Sequence, residues 1–215
     1  MSLYLARAER QVIGADLTRA SLLLAADAAR RFGIARVSFV ETDLANPGLR
    51  PGSFDLVYCS GVLHHTPDPR ASFASIAKLA RPGGLIVLGL YNKVARLPLR
   101  LRRAIFRLSG GRWVPFDPVL RDRAAEPERR AAWLRDQYRH PEEHRHTIGE
   151  VRSWFAENGV EFVRSYPTMF ADGEENCLLK PEEDSWAPGD WLTQLGWMGS
   201  LSGEGGLFVT IGRAA

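Results

Sequence analysis

Apolar and polar positions along the chain change period several times, and the changes mark alternating strands and helices. Residues 11–16 (QVIGAD) and 37–42 (VSFVET) are short runs rich in strand formers. Residues 54–59 (FDLVYC) and 85–90 (LIVLGL) are nearly continuous apolar runs, the pattern of parallel strands covered on both faces. Between them Leu22, Leu23, Ala25, Ala26 and Ala29 recur at helical spacing. They predict a helix over 19–32, with Thr18 at its N-cap and Gly33 at its stop. Phe73, Ile76, Ala77 and Ala80 predict a second helix over 69–80, with Asp68 as cap, Pro69 in the first turn and Arg81-Pro82-Gly83-Gly84 at its end. This rhythm of strands and helices argues for an α/β fold on a doubly wound, mostly parallel sheet with right-handed crossovers.

Beyond residue 92 the character changes. Residues 93–112 contain Lys93, Arg96, Arg100, Arg102, Arg103, Arg107 and Arg112 and no acidic residue, while Leu97, Leu101, Ile105 and Leu108 share a helical stripe. Two readings stand: a helix that packs this stripe on the domain and leaves its arginines in water, or one that lies on an acidic or membrane surface. Interleaved aromatics for stacking on bases are missing, so nucleic acid is the weaker partner. A proline-bearing link, 115–127, leads to a helix over 128–138, and Thr147 with Glu150 forms a capping-box pattern ahead of a helix over 148–158. Strands are expected over 160–166 and 207–211, separated by an irregular stretch rich in Trp, Gly and acidic residues with a helical patch near 191–197. The chain thus divides into a first portion (1–92), a helical insertion (93–159) and carboxyl-terminal strands with an aromatic cover (160–215), all within one domain.

At 215 residues, 45% hydrophobic and 25% charged, the chain has ordinary globular composition, and a net charge of +3 permits an acidic partner without requiring one. Cys59 and Cys177 lie far apart, which argues against a disulfide framework and favours a cytoplasmic location. Apolar runs are broken by Arg, Asp or Gly before they reach bilayer-spanning length, and the basic residues of MSLYLARAERQ follow its apolar start, the reverse of a signal peptide.

Candidate chemistry collects at strand ends, because ligands of open α/β sheets lie beyond the carboxyl ends of the strands. Asp16 ends the first strand ahead of a helix, where a carboxylate either accepts from a ribose diol or leads the helix as a cap. Asp43 ends the second strand, as a ligand group or as a solvated turn acid. Ser60 and Gly61 end the third, where small residues allow close approach to the backbone. His64 and His65 follow at the same mouth. Either could take a proton from a nucleophile, or one of them shapes the turn before Pro67. His140, His144 and His146 with Glu142 and Glu143 have no specific ligand spacing, and no metal is expected there. Trp186, Trp191 and Trp197 are candidates to line an apolar pocket or to pack in the core.

Taken together, VIGADLTRASLLLA, VSFVETDL, GSFDLVYCSGVLHHTPDP and LARPGGLIVLGLYN resemble the class I S-adenosylmethionine-dependent methyltransferases, in particular the small-molecule branch that includes the ubiquinone and menaquinone biosynthesis enzymes. The resemblance covers residues 1–92 and implies a Rossmann-like methyltransferase fold, S-adenosyl-L-methionine as cofactor and methyl transfer to an O, N or C nucleophile of a small molecule. It assigns the ribose to Asp16, with Leu17 beside it among the cofactor-binding residues, the adenine to Asp43 and the Leu44 amide, and the methionine end to Ser60 and Gly61. The paired histidines occur in members acting on different nucleophiles, so His65 is a catalytic candidate by its place at the mouth and not by the motif. The family's first strand and glycine-rich turn are not found ahead of the helix that ends near Ala8, so the fold is expected to be amino-terminally truncated and cofactor binding impaired. Met1 as an internal methionine of a longer protein is the favoured explanation. Direct pairing of the two neighbouring strands, or a strand from a partner chain, are the others. A non-catalytic pseudoenzyme or binding module on the same scaffold is the alternative function.

Overall fold

The two most apolar runs become β3 (Phe54–Ser60) and β4 (Ala80–Tyr91), a parallel pair inside a four-stranded sheet. The computed structural model describes residues 1–6, 10–122, 126–138, 143–167, 179–182, 187–200 and 206–215. On its other side β4 pairs antiparallel with β6 (Leu207–Ala214), which pairs antiparallel with β5 (Val160–Tyr166), giving the order β3-β4-β6-β5. β1 (Val12–Asp16) and β2 (Val37–Glu41) form a separate parallel pair. The parallel half and its helices make the α/β fold the sequence predicts. Direct pairing of the strand ending at Asp16 with the strand ending at Ser60, one of the alternatives for the missing strand, does not occur: each keeps one edge without a strand partner among the described residues.

α1 (Ser2–Ala6) precedes β1, and α2 (Arg19–Arg31) links β1 to β2. Thr18 occupies the N-cap of α2 as expected, but its side chain makes no capping bond; Asp16 Oδ1 accepts from the Thr18 amide instead, 2.7 Å away. At the other end Gly33 adopts φ 63°, and Ile34 N donates back to Ala29 O at 2.9 Å, the αL stop that glycine permits. Of the predicted apolar face, Ala29 is buried, whereas Leu23 is exposed together with Leu24 and Phe32.

α3 (Pro69–Ala77) starts on Asp68, whose Oδ1 accepts from Ala71 N at 3.0 Å. It ends three residues earlier than the predicted Ala80. The carbonyls of Lys78 and Leu79 are taken by Gly52, Ser53 and Phe54, so the backbone turns into the ladder with β3 at Ala80. The main core lies between this sheet and the helices α3, α7 (Ile148–Glu157) and α8 (Ala187–Ser200), with Phe73 stacked on Phe155 at 5.3 Å and Trp197 against Phe208. α7 carries the predicted capping box at Thr147 and Glu150.

The insertion consists of α4 (Leu97–Leu108), α5 (Pro118–Asp122), which the sequence did not reveal, and α6 (Pro127–Tyr138). Leu99 and Phe106 of α4 pack with Leu120 and Tyr138 in a second, smaller core. For the stripe Leu97, Leu101, Ile105 and Leu108 the sequence leaves packing on the domain and an outer surface both open. Leu97, Leu101 and Leu108 point outward and Ile105 is half-buried, while Arg96 and Arg103 turn inward.

Neither core contains a residue of β1, α2 or β2. This unit is therefore held by its own ladder and by few apolar contacts, the pattern of a segment that opens at low free energy. Hydrogen exchange followed by mass spectrometry should show the amides of β1 and β2 exchanging faster than those of β4 and β6; equal protection would show that the two sheet pieces unfold as one unit.

Candidate cofactor site

The carboxyl ends of β1, β2 and β3 carry the residues singled out in the sequence. Asp16 is exposed, and its Oδ1 accepts from Thr18 N as β1 hands over to α2. The helix-leading role is thus real, and Oδ2 has no partner among the described residues. Leu17, next in the chain, is largely exposed. Parallel pairing sets Asp16 opposite Glu41, two residues ahead of Asp43. Asp43 folds its own turn: Oδ1 accepts from Ala45 N at 2.9 Å and its carbonyl accepts from Asn46 N at 3.1 Å. Ser75 of α3 donates to Ala45 O at 2.8 Å, tying this turn to the main body, and Leu44 packs against the main core.

Ser60 stands opposite Gly89 in the β3–β4 register, and the fit is tight. A Cβ at Gly89 would lie 2.1 Å from Ser60 Oγ. Gly61 then adopts φ 78°, a conformation natural to glycine, and donates from its amide to Gly89 O at 3.0 Å. A single 3-10 turn, Leu63–His65, follows. His64 is fully buried, with its ring 4.0 Å from the Tyr91 ring and 4.2 Å from the His65 ring. His64 therefore shapes the mouth from inside, and His65 is the more accessible of the pair.

Tyr91, at the carboxyl end of β4, was not identified from the sequence. It lies under the Arg96 guanidinium, whose central carbon is 3.7 Å from the ring centre, and its hydroxyl accepts from Gln137 at 3.3 Å. Arg96 also donates to Glu143 and Gln137, each at 2.8 Å, and Arg103 donates to Glu143 at 2.7 Å. Burial pulls the Arg96 guanidinium below the usual arginine range, and the facing Glu143 carboxylate opposes that shift. Asn92, also missed, is buried: it accepts from the amides of Val94 and Ala95 and donates to Gln194 at 2.9 Å. The signal was present as Tyr91-Asn92 directly after an apolar strand, where a side-chain acceptor commonly starts a turn.

Of the histidine cluster, His140 and Glu142 lie outside the described residues, as do Trp186 and Cys177. Glu143 is committed to the two arginines. His144 donates its amide to His64 O at 2.9 Å, and the His146 ring sits edge-on to Trp154 at 4.6 Å. Trp197 is a core residue and Trp191 is exposed, so neither lines the mouth.

Together these elements form a Rossmann-like α/β fold, with acidic and small residues at its strand ends. Residues 1–88 match the family model described as a methyltransferase domain. An uncharacterized protein of Synechococcus sp. is 28% identical over 175 residues, covering 71% of this chain and 42% of that protein. A ubiquinone biosynthesis O-methyltransferase of Pectobacterium carotovorum is 34% identical over 92 residues, 43% of this chain and 38% of the enzyme. The chain thus spans about two fifths of the length of these curated relatives. Among solved structures, magnesium protoporphyrin IX methyltransferase from Synechocystis with bound SAH aligns over 100% of this chain and 68% of its own, with TM-score 0.57 and 17% identity. A SAM-dependent methyltransferase from Methanosarcina mazei aligns over 100% and 86%, with TM-score 0.59 and 18% identity. The resemblance read from the motifs is therefore found again in sequence and in fold.

Two outcomes follow from this geometry. Gly89→Ala should cost on the order of 1–3 kcal/mol in urea unfolding, because the added methyl group drives Ser60 off its position; an unchanged midpoint would mean the β3–β4 ladder yields freely. Burial, and secondarily the neighbouring His144, lowers the pKa of His146 from its ordinary 6.5, with Glu150 opposing. A histidine depressed in the native state contributes stability that is complete above its unfolded pKa and is lost as pH falls through the native value. Unfolding free energy should therefore decline below about pH 6.5, and His146→Gln should flatten that decline. A parallel profile in the variant would remove His146 as its source.

Proposed function

We propose that this chain carries the greater part of the fold of an S-adenosylmethionine-dependent methyltransferase acting on an O, N or C nucleophile of a small molecule. The observation that carries the reading is that Asp16, Asp43 and Ser60-Gly61 each lie at or just past the carboxyl end of a parallel strand within the segment that matches a methyltransferase domain. In this reading Asp16, with the Leu17 backbone, accepts from the ribose hydroxyls. Asp43 and the Leu44 amide read the adenine, and the turn at Ser60 and Gly61 admits the methionine end of the cofactor. An ionised carboxylate is acceptor-only, which suits a vicinal diol of donors. His65 is the proton acceptor at the mouth, braced by His64 and Tyr91.

When bound, the cofactor supplies an activated sulfonium methyl group, so the protein's part is positioning and exclusion of water. The open edges of β1 and β3 support a further point. A strand seated between them would complete the sheet and bring backbone amides to the cofactor, and without it this chain holds the ligand weakly. The same open edges favour the second reading, a non-catalytic binding module.

Calorimetric titration of S-adenosylhomocysteine into folded chain should give weak binding that Asp16→Ala reduces a further tenfold to hundredfold, roughly the worth of hydrogen bonds to a charged group. Micromolar affinity abolished by Asp16→Ala would overturn the impairment and keep the site. Binding indifferent to Asp16→Ala and Asp43→Ala would overturn the cofactor assignment, and no binding by a folded chain would support the non-catalytic module.

A further inference from the structure

α4 is apolar on two opposite faces. Leu99 and Phe106 point inward to the smaller core, which accounts for one of them. The other face is made by Leu97, Leu101, Ala104 and Leu108, at spacings of four, three and four residues, so they form a single stripe along the helix. This stripe is open to solvent: Leu101 is 66% exposed and Leu108 88% exposed. Water does not favour such an arrangement, and the inward face gives no reason for it.

The charges follow the same division. Arg96 and Arg103 turn inward to Glu143, while Arg100 and Arg107 lie exposed along one flank of the stripe. No acidic residue occurs between Lys93 and Arg112, so nothing on this segment neutralises the outer arginines.

The loop after α4 continues the surface. Gly110 and Gly111, both at positive φ, reverse the chain and lead to exposed Arg112, to Trp113 at 58% exposure and to Phe116 at 93%. Phe116 has φ 49°, a region disfavoured for a bulky side chain. Its conformation is set from behind. Asp117 is buried, accepting from Leu120 N at 3.0 Å, from Trp133 Nε1 at 3.2 Å and from the Tyr138 hydroxyl at 2.5 Å. A rigid anchor thus holds an aromatic ring out in water in a strained backbone.

We infer that α4 and the loop through Phe116 dock on the surface of an anionic lipid bilayer, with the leucine stripe and the two aromatic rings in the headgroup boundary and Arg100, Arg107 and Arg112 at the phosphates. An apolar stripe flanked by arginines, with Trp and Phe at one end, is the composition that interfacial helices use. No described helix is long and apolar enough to cross a membrane, so the contact is peripheral. Nucleic acid fits worse, because leucines stand outermost and have neither stacking faces nor donors for phosphate. A second copy of this chain fits worse too: a two-fold contact through this face would set Arg100 and Arg107 against themselves. The inference concerns a surface apart from the cofactor site, and its assay contains no cofactor.

The test is flotation of the purified chain with vesicles of phosphatidylcholine alone and with roughly a third phosphatidylglycerol, the anionic fraction that makes basic residues count. Binding to the anionic vesicles, weakened by salt, is expected. Arg100→Gln with Arg107→Gln should lower the partition coefficient roughly fivefold for each arginine. Leu101→Asp and Phe116→Asp, both exposed and therefore compatible with folding, should abolish it while the circular dichroism spectrum is retained. Absence of vesicle binding, binding unaffected by these substitutions, a duplex oligonucleotide bound in preference to vesicles, or a dimer in solution that Leu101→Asp dissociates would each overturn the proposal.

Discussion

A buried peptide group has to find a hydrogen-bond partner, and β4, like its neighbour β6, is a strand on which this requirement is met from both sides. β3 supplies one ladder and β6 the other, and the side chains of Ile86, Leu88 and Leu90 are almost completely removed from water between them. The third-strand mouth and the histidine turn are referred to this strand. Ser60 is placed by its register with Gly89, Gly61 by its bond to Gly89 O, and the histidine turn by the ring of Tyr91. β1 and β3 meet the requirement on one side only, and the consequence is graded order. The residues resting on β4 are fixed by sheet and core, whereas Asp16 belongs to a unit that contributes to neither core and Asp43 is joined to the main body only through its turn, by Leu44 and by Ser75 on Ala45 O.

The insertion is attached to the same strand by charge. Arg96 and Glu143 are almost wholly buried, with Arg103 beside them, and they meet over Tyr91 at the end of β4. Removing two charges from water is costly, and the Coulombic return only offsets that cost where the geometry satisfies the remaining donors and acceptors. Here Gln137 from α6 accepts from Arg96 and donates to the Tyr91 hydroxyl, so three elements share one polar cluster. Such a cluster adds little net stability over an apolar equivalent, but it admits few alternative packings. The end of β4, the start of α4 and the end of α6 are therefore held in one arrangement. Asn92 and Gln194 do the same for α7 and α8: a single glutamine side-chain oxygen accepts from Asn92 and from Ile148 N.

The strands and most helix starts were legible because their signals are local. Apolar runs without alternation found β3 and β4, and Asp68-Pro69 and Thr147 with Glu150 found the first turns of α3 and α7. The carboxyl-end candidates were legible for the same reason, since strand ends can be read once strands can. Helix α4 shows the limit. Its spacing correctly reveals a stripe at Leu97, Leu101 and Leu108, yet a helix with apolar residues on two faces does not state which one is covered. Leu99 and Phe106 win because Leu120 and Tyr138, from sequence-distant elements, are there to meet them. Tyr91 and Gln137 carry no signal alone, and Glu143 stands out only as part of a histidine cluster; their meaning lies in contacts between residues about fifty apart. Asp16 reads from sequence as either a cap or a ligand group; in the structure its Oδ1 accepts from the amide of the N-cap residue Thr18, a side-chain turn ahead of α2 rather than a cap, and Oδ2 has no partner among the described residues.

The divided sheet bears on how a ligand at the strand ends would behave. A molecule held at once by Asp16 and by the turn at Ser60 and Gly61 would touch both sheet pieces, which no ladder joins among the described residues. Part of its interaction free energy would go into fixing the β1–α2–β2 unit against the rest, a cost that lowers apparent affinity by the fraction of time the unit is correctly placed. A strand filling the space between β1 and β3 would meet that cost in advance through backbone hydrogen bonds, without touching the ligand. Affinity and sheet completion are then one linked quantity, so a carboxylate well placed in sequence can remain a weak binder until the edge beside it is paired.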